Sequence, residues 1–265
     1  MKSPALAALF LAAIALISCQ NNSAKGQQST GLNFSTATLE RQDGPGCDTE
    51  GGACVRLEMV YPLADEAKGP LAARINDSIR HAMSQVLITL NPEESDSKNL
   101  EQLADQFVAS YKSFLAEAPD YVLGWSIEMG HEIHLNSPKI ASIELMISSF
   151  TGGAHPVGYS NTFNFLLPSG ELLLLDKMMT NRAGFMQLAE KEFKLTRGLP
   201  ETANLQEEGY FFGEPFSLPS NFVFTSEGLY MIYNVYEAGA YALGPTEYLI
   251  PYEKLEGLLN LDNIL

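Results

Sequence analysis

Asn234-Val-Tyr236-Glu237-Ala-Gly-Ala-Tyr241-Ala-Leu-Gly244-Pro245-Thr-Glu247-Tyr-Leu-Ile250-Pro251-Tyr252-Glu-Lys-Leu255 reads as the end of a strand, a long turn, a second strand and a short helix. Ahead of it, Phe222-Val-Phe224 and Leu229-Tyr230-Met-Ile232-Tyr233 alternate on either side of a turn containing Gly228, the signature of a β-hairpin. A hairpin followed by one more strand makes a small antiparallel sheet. The tyrosines flanking Ala238, Gly239 and Ala240 either pack on the core or line a shallow groove as rigid contact residues, so Tyr236, Glu237 and Tyr241 are candidate ligand-binding residues.

Working back toward the N-terminus, period-two alternation continues. Trp125, Ile127, Met129, Ile133 and Leu135 fall on one side of a predicted strand, with Ser126, Glu128, Glu132 and His134 on the other. Segments 139–150 and 159–167 alternate in the same way, and Pro168-Ser169-Gly170 turns the chain into Leu172–Leu175. Helical spacing appears in three places. Pro70 opens a run carrying Leu71, Ile75, Ile79, Met83, Val86 and Leu87, and Asp96 or Ser97 caps a run carrying Leu100, Leu103, Phe107, Phe114 and Leu115. Asn181 caps a third with Phe185, Leu188, Ala189 and Phe193, which stops at Gly198. Leu57–Tyr61 reads as one more strand. Strands interrupted by helices without regular βαβ alternation predict an α+β fold, with antiparallel sheets packed against about three to four helices.

At the other end, Lys2 precedes an apolar run from Ala5 to Ile17 that closes in Leu16-Ile17-Ser18-Cys19. The run is shorter than the roughly 20 residues that span a bilayer, and it has the form of a lipoprotein signal peptide over residues 1–18. Cys19 is then the lipidated first residue, which anchors the protein to a membrane without spanning it. Residues 19–32 are mostly polar and read as a flexible tether. The remainder divides into an N-terminal α+β region, 33–136, and a C-terminal domain, 137–265. The formal charge of the 265-residue chain is −16, and loss of Lys2 makes it one unit more negative. Such a surface excludes nucleic acid as a partner and attracts cationic ones. Cys47 and Cys54 lie in a Gly-rich loop with no His or further Cys nearby to complete a zinc site, so an exported compartment should join them as a disulfide.

Only four histidines are present. His131 and His134 are an odd number of residues apart on a predicted strand, which sends their imidazoles to opposite faces, and the His-Glu-x-x-His order is absent. His81 lies in a helix without a visible partner. His155 follows Thr151-Gly152-Gly153-Ala154, where the glycines permit a tight turn that presents the imidazole as a further candidate ligand-binding residue. No Gly-x-Ser-x-Gly elbow occurs. The residues therefore predict no catalytic group, no metal and no cofactor.

The tyrosine-rich turn leading through Gly244-Pro245 to Ile250-Pro251-Tyr252, the Thr151–His155 turn, Asn164-Phe165 and Leu174–Asp176 together resemble one family. It is the extracytoplasmic domain shared by RsiV-type lysozyme-sensing anti-sigma factors and the accessory part of PdaC-type peptidoglycan deacetylases. The resemblance covers residues 137–265 well and residues 33–136 only in outline. It implies a sensor or accessory module of the cell envelope, on the periplasmic or cell-surface side. The Asp-Asp and His-x-x-x-His motifs of the deacetylase barrel and the sigma-binding segment of the anti-sigma factors do not occur in these residues, so neither activity is carried over. What the resemblance leaves is a lipid-anchored, non-enzymatic binding protein whose partner is a cationic, lysozyme-like envelope protein or a cell-wall glycan. A peptidoglycan hydrolase or deacetylase with an unrecognised site, and a structural envelope lipoprotein, are the readings from other classes.

Overall fold

The computed structural model describes residues 31–49, 52–91, 99–167, 169–262 and 264. The leader, the lipidation site at Cys19 and most of the tether lie outside these residues, as do Asp96 and Ser97. A six-stranded mixed sheet runs β1(Phe34–Asp43)-β2(Val55–Ala64)-β3(Trp125–Asn136)-β4(Ile140–Phe150)-β5(Val157–Leu166)-β6(Glu171–Leu172). A three-stranded antiparallel sheet, β7(Asn221–Phe224)-β8(Gly228–Tyr233)-β9(Thr246–Pro251), follows in sequence. The fold is α+β as expected, but the first sheet is not wholly antiparallel. β2 and β3 pair in parallel, Val55 opposite Trp125, because helices α1(Pro70–Leu90) and α2(Leu100–Glu117) carry the chain back across the sheet between them.

Those helices cover one face of the first sheet. Ile75, Ile79, Met83 and Leu87 of α1 and Leu103, Phe107 and Tyr111 of α2 pack with Leu57, Met59, Ile127, Ile143 and Leu145 in one core. Pro70 starts α1 as its spacing predicts, whereas α2 is capped by Asn99, whose side chain accepts from the Glu101 and Gln102 N–H groups. Cys47 and Cys54 form a disulfide that staples the β1–β2 loop. Leu32, assigned to the tether, is buried, and its N–H and carbonyl bond the Asn136 side chain at 3.0 and 2.7 Å.

The second sheet lies on the face the helices leave free. A polar seam joins the two: Asn164 accepts from Ser142 Oγ at 2.7 Å and donates to the Phe222 carbonyl at 2.8 Å, while the Phe224 N–H donates to Ser142 Oγ at 3.3 Å. Around it, Phe185, Ala189 and Phe193 of α4(Arg182–Thr196) join Leu229, Met231, Tyr233 and Ile250 in a second core. The short helices α3(Leu175–Met178) and α5(Tyr252–Leu255) contribute Leu175, Met178 and Leu255 to it. β3 and β4 stand on either side of the 136/137 division read from the sequence, and they are neighbours in one sheet.

One bulge sets the face of several residues. Ile133 pairs with Ile143 but Leu135 pairs with Ser142, so His134 is the extra residue on β3. An inserted residue reverses the side-chain alternation beyond it. Leu135, expected on the same side as Ile133, instead packs with the second core.

Candidate functional site: an aromatic surface beside an acidic cleft

The Thr151–His155 turn and the Tyr236–Tyr241 turn meet at the surface. The His155 and Tyr241 rings stack with centroids 3.7 Å apart and planes 19° apart, and Tyr236 lies 5.6 Å from Tyr241. Tyr241 Oη donates to the Pro156 carbonyl at 3.1 Å, and His155 Nδ1 lies 3.0 Å from the same oxygen. Gly152 takes φ +95°, and a Cβ there would stand 2.5 Å from Tyr121 Oη, so both the conformation and the space demand glycine.

Tyr236 has φ +68°, a left-handed conformation that a bulky residue holds only when its surroundings impose it, and its side chain remains 53% exposed. The surroundings are polar. Glu237 Oε2 accepts from the Asn234 N–H at 2.9 Å and Oε1 from the Ser220 N–H at 2.6 Å. Asn234 in turn accepts from the Ser160 N–H at 2.7 Å and donates to the Ser160 carbonyl at 2.9 Å, which ties the turn to β5. Of the four candidate ligand-binding residues, the structure gathers His155, Tyr236 and Tyr241 into one aromatic surface. Glu237 lies behind it, with both carboxylate oxygens occupied by backbone donors.

Sequence reasoning missed a second feature. A cleft of about 610 Å³ opens between the sheets, lined by Glu132, His134, Glu144, Ser160, Glu227, Tyr230 and Glu247 over an apolar floor of Ile133, Met146 and Leu249. His134 Nε2 lies 2.7 Å from Glu144 Oε2, and Ser160 Oγ donates to Glu144 Oε1 at 2.5 Å. The Tyr230 ring stacks over His134 at 6.4 Å, and its hydroxyl donates to Glu247 at 2.7 Å. The hydrogen bond to Glu144 raises the His134 pKa above its usual value against the opposing effect of burial, with Glu132 adding to the rise. Burial would push Glu144 up, yet the bonds from His134 and Ser160 outweigh it and hold the carboxyl below its usual range. Burial followed by the bond to Glu247 raises Tyr230.

His131 Nδ1 lies instead 3.3 Å from the Val60 carbonyl, away from His134's partners. Among the described residues no group of three or more His, Cys, Asp or Glu is arranged to hold a metal ion, and no helix is long and apolar enough to cross a membrane.

The family model described as "Deacetylase PdaC" matches residues 49–158, and that described as "Protein of unknown function (DUF3298)" matches residues 174–253. The chain therefore carries a PdaC-type domain followed by a DUF3298 domain, matching the RsiV/PdaC-like extracytoplasmic family. Two crystal structures share the fold. A DUF3298 family member from Bacteroides fragilis superposes with a TM-score of 0.68 at 21% identity, covering 88% of this chain and 96% of its own. A DUF3298 family protein from Pseudomonas aeruginosa gives 0.59 at 21% identity, covering 87% and 96%. No curated protein matches the chain.

Proposed function

We propose that the protein is a lipid-anchored, non-enzymatic binding protein of the cell envelope, with a peptidoglycan-associated role, and that its ligand is a basic wall-degrading protein of the lysozyme kind. The observation that carries this reading is the aromatic surface. Two turns 85 residues apart in sequence are folded together so that His155 and Tyr241 present a stacked pair next to an exposed, strained Tyr236. Rigid tyrosines with few rotatable bonds are the side chains that anchor protein interfaces. The net charge of −16 accelerates the arrival of a cationic partner but leaves specificity to such anchors. The flat face of the His155–Tyr241 pair also suits a sugar ring, so a cell-wall glycan is the second reading.

Calorimetry at low salt with chicken-type lysozyme and, separately, with a chitin tetrasaccharide tests both. Lysozyme binding that weakens with salt and dissociates faster in Tyr236→Ala and Tyr241→Ala supports the proposal. Heat with the tetrasaccharide alone transfers the site to the glycan. Binding unchanged in both tyrosine variants removes the surface from the account, and turnover of muropeptides by the purified protein removes the non-enzymatic reading. For the anchor, Cys19→Ala should shift the protein from the membrane to the soluble or unprocessed fraction. An unmodified mature N-terminus in the wild type would refute the lipid.

A further inference from the structure

The acidic cleft plays no part in that reading, yet it is wired to the aromatic surface through Ser160. On one side the Ser160 hydroxyl donates to Glu144 Oε1, while Glu144 Oε2 holds His134 Nε2. On the other, the Ser160 N–H and carbonyl are both bonded to the Asn234 side chain. The Asn234 N–H donates to Glu237, which closes the turn that forces Tyr236 into its left-handed conformation. We propose that this chain of contacts, His134–Glu144–Ser160–Asn234, is a proton-controlled latch: imidazolium at His134 holds the tyrosine turn in its binding geometry, and loss of that proton loosens it. The inference rests on the binding reading of the aromatic surface and assigns that surface its regulation.

The charges around His134 all act in one direction. Glu132 on its own strand has Oε1 3.9 Å from Nδ1, and Glu144 reaches it from β4. Ser160 comes from β5, and Tyr230 covers the ring from β8 with its hydroxyl bonded to Glu247 of β9. Glu227, in the β7–β8 turn, completes the wall, and among the described residues no lysine or arginine lines the cleft. Among the described residues lining the cleft, His134 is thus the one group able to carry a positive charge, with Glu132 and Glu144 against it and Glu227 and Glu247 in the same wall. Glu144 is only 7% exposed, and a buried carboxylate without a charged partner is costly. When His134 loses its proton to solvent, Glu144 keeps its charge with no cation beside it and is drawn toward water, a move that weakens its hold on the Ser160 hydroxyl.

The sign follows from the two titrations. Glu144 ionises below its ordinary value of 4.5 and His134 stays charged above its ordinary 6.5, so the latch is engaged throughout the interval between them. It releases as pH rises through the raised value of His134. A proton that favours ligand binding must in turn be bound more tightly when ligand is present.

The test combines an NMR titration of the His134 ring, from about pH 5 to about pH 9, with calorimetry against chicken-type lysozyme over the same range. Affinity should fall about fivefold as His134 deprotonates, near the lower end of measured couplings, and lysozyme should raise the His134 pKa correspondingly. His134→Gln should abolish the pH dependence. Ser160→Ala should abolish it too, while His134 still titrates. Affinity that stays constant while His134 is seen to titrate, or an unaltered pH dependence in His134→Gln, overturns the latch. If lysozyme does not bind at any pH, the binding reading fails, and amide exchange of residues 234–241 in the free protein decides the latch alone. Protection that drops with His134 deprotonation in the wild type but not in Ser160→Ala sustains it, and protection independent of His134 overturns it.

Discussion

Replacing Asn164 with alanine should cut the seam on which the second sheet is mounted. The native side chain is 3% exposed and accepts from Ser142 Oγ while donating to the Phe222 carbonyl. Truncation leaves that carbonyl without its donor and the Ser142 hydroxyl without its acceptor, in a region shielded from water. Each buried polar group left unpaired costs about 1–3 kcal/mol, so the pair should lower stability by about 3 kcal/mol. That is a large share of the roughly 5–15 kcal/mol that holds a domain folded. Urea unfolding followed by circular dichroism measures it, with the midpoint shifting at constant slope. A double-mutant cycle with Ser142→Ala should give a coupling of about 1 kcal/mol, because both side chains belong to one network. A loss below about 1 kcal/mol in Asn164→Ala, or strict additivity in the cycle, would show that apolar packing alone mounts the sheet.

Four further outcomes are expected. Because the folded-state pKa of His134 lies above its usual value, the stability it contributes is complete below about pH 6.5 and is lost as pH rises through the raised value; melting temperatures of His134→Gln should lack that decline. Glu144 acts at the other end, its contribution disappearing as pH falls through its lowered value, so Glu144→Gln should lose less stability in acid than the wild type. Gly152→Ala places a methyl against Tyr121 Oη at φ +95° and should cost about 1–3 kcal/mol, and an unchanged melting curve would contradict the geometry. Intact mass should show Cys47 and Cys54 two hydrogens lighter than the dithiol, and Cys54→Ser should destabilise by about 2–3 kcal/mol in denaturant.

The helices and most strands were legible because their periods are strong: α1 begins at Pro70, and the Asn181 side chain caps α4 by accepting from the Gly184 N–H, as read from the sequence. β1 was not, since Phe34–Asp43 is largely polar on both faces and gives no apolar alternation. The parallel pairing of β2 with β3 depends on where two helices return the chain, and no local pattern encodes it. Tyr236, Tyr241 and His155 were singled out from two turns, but their stacking is a tertiary event that residue spacing does not announce. The acidic cleft was hidden for a related reason. Glu132 and His134 were read on one strand face, but Glu144 and Ser160 join them through sheet register, and Tyr230 and Glu247 through the packing of a second sheet.

The parallel contact at the middle of the first sheet also fixes the order in which the molecule can assemble. β3, β4 and β5, and likewise β7 and β8, join by short antiparallel connections that close quickly. Val55 finds Trp125 only after the whole of α1 and α2 has been made, and the entropy of closing so long a loop must be met before any contact rewards it. A chain that emerges from its N-terminus therefore exposes the inner edge of β2, with Val55, Leu57 and Met59 beside it, until β3 arrives. An unpaired apolar edge pairs readily with another copy of itself. The interval before Trp125 docks is when this protein is most prone to aggregate, and it is the stage at which a folding chaperone would have most effect.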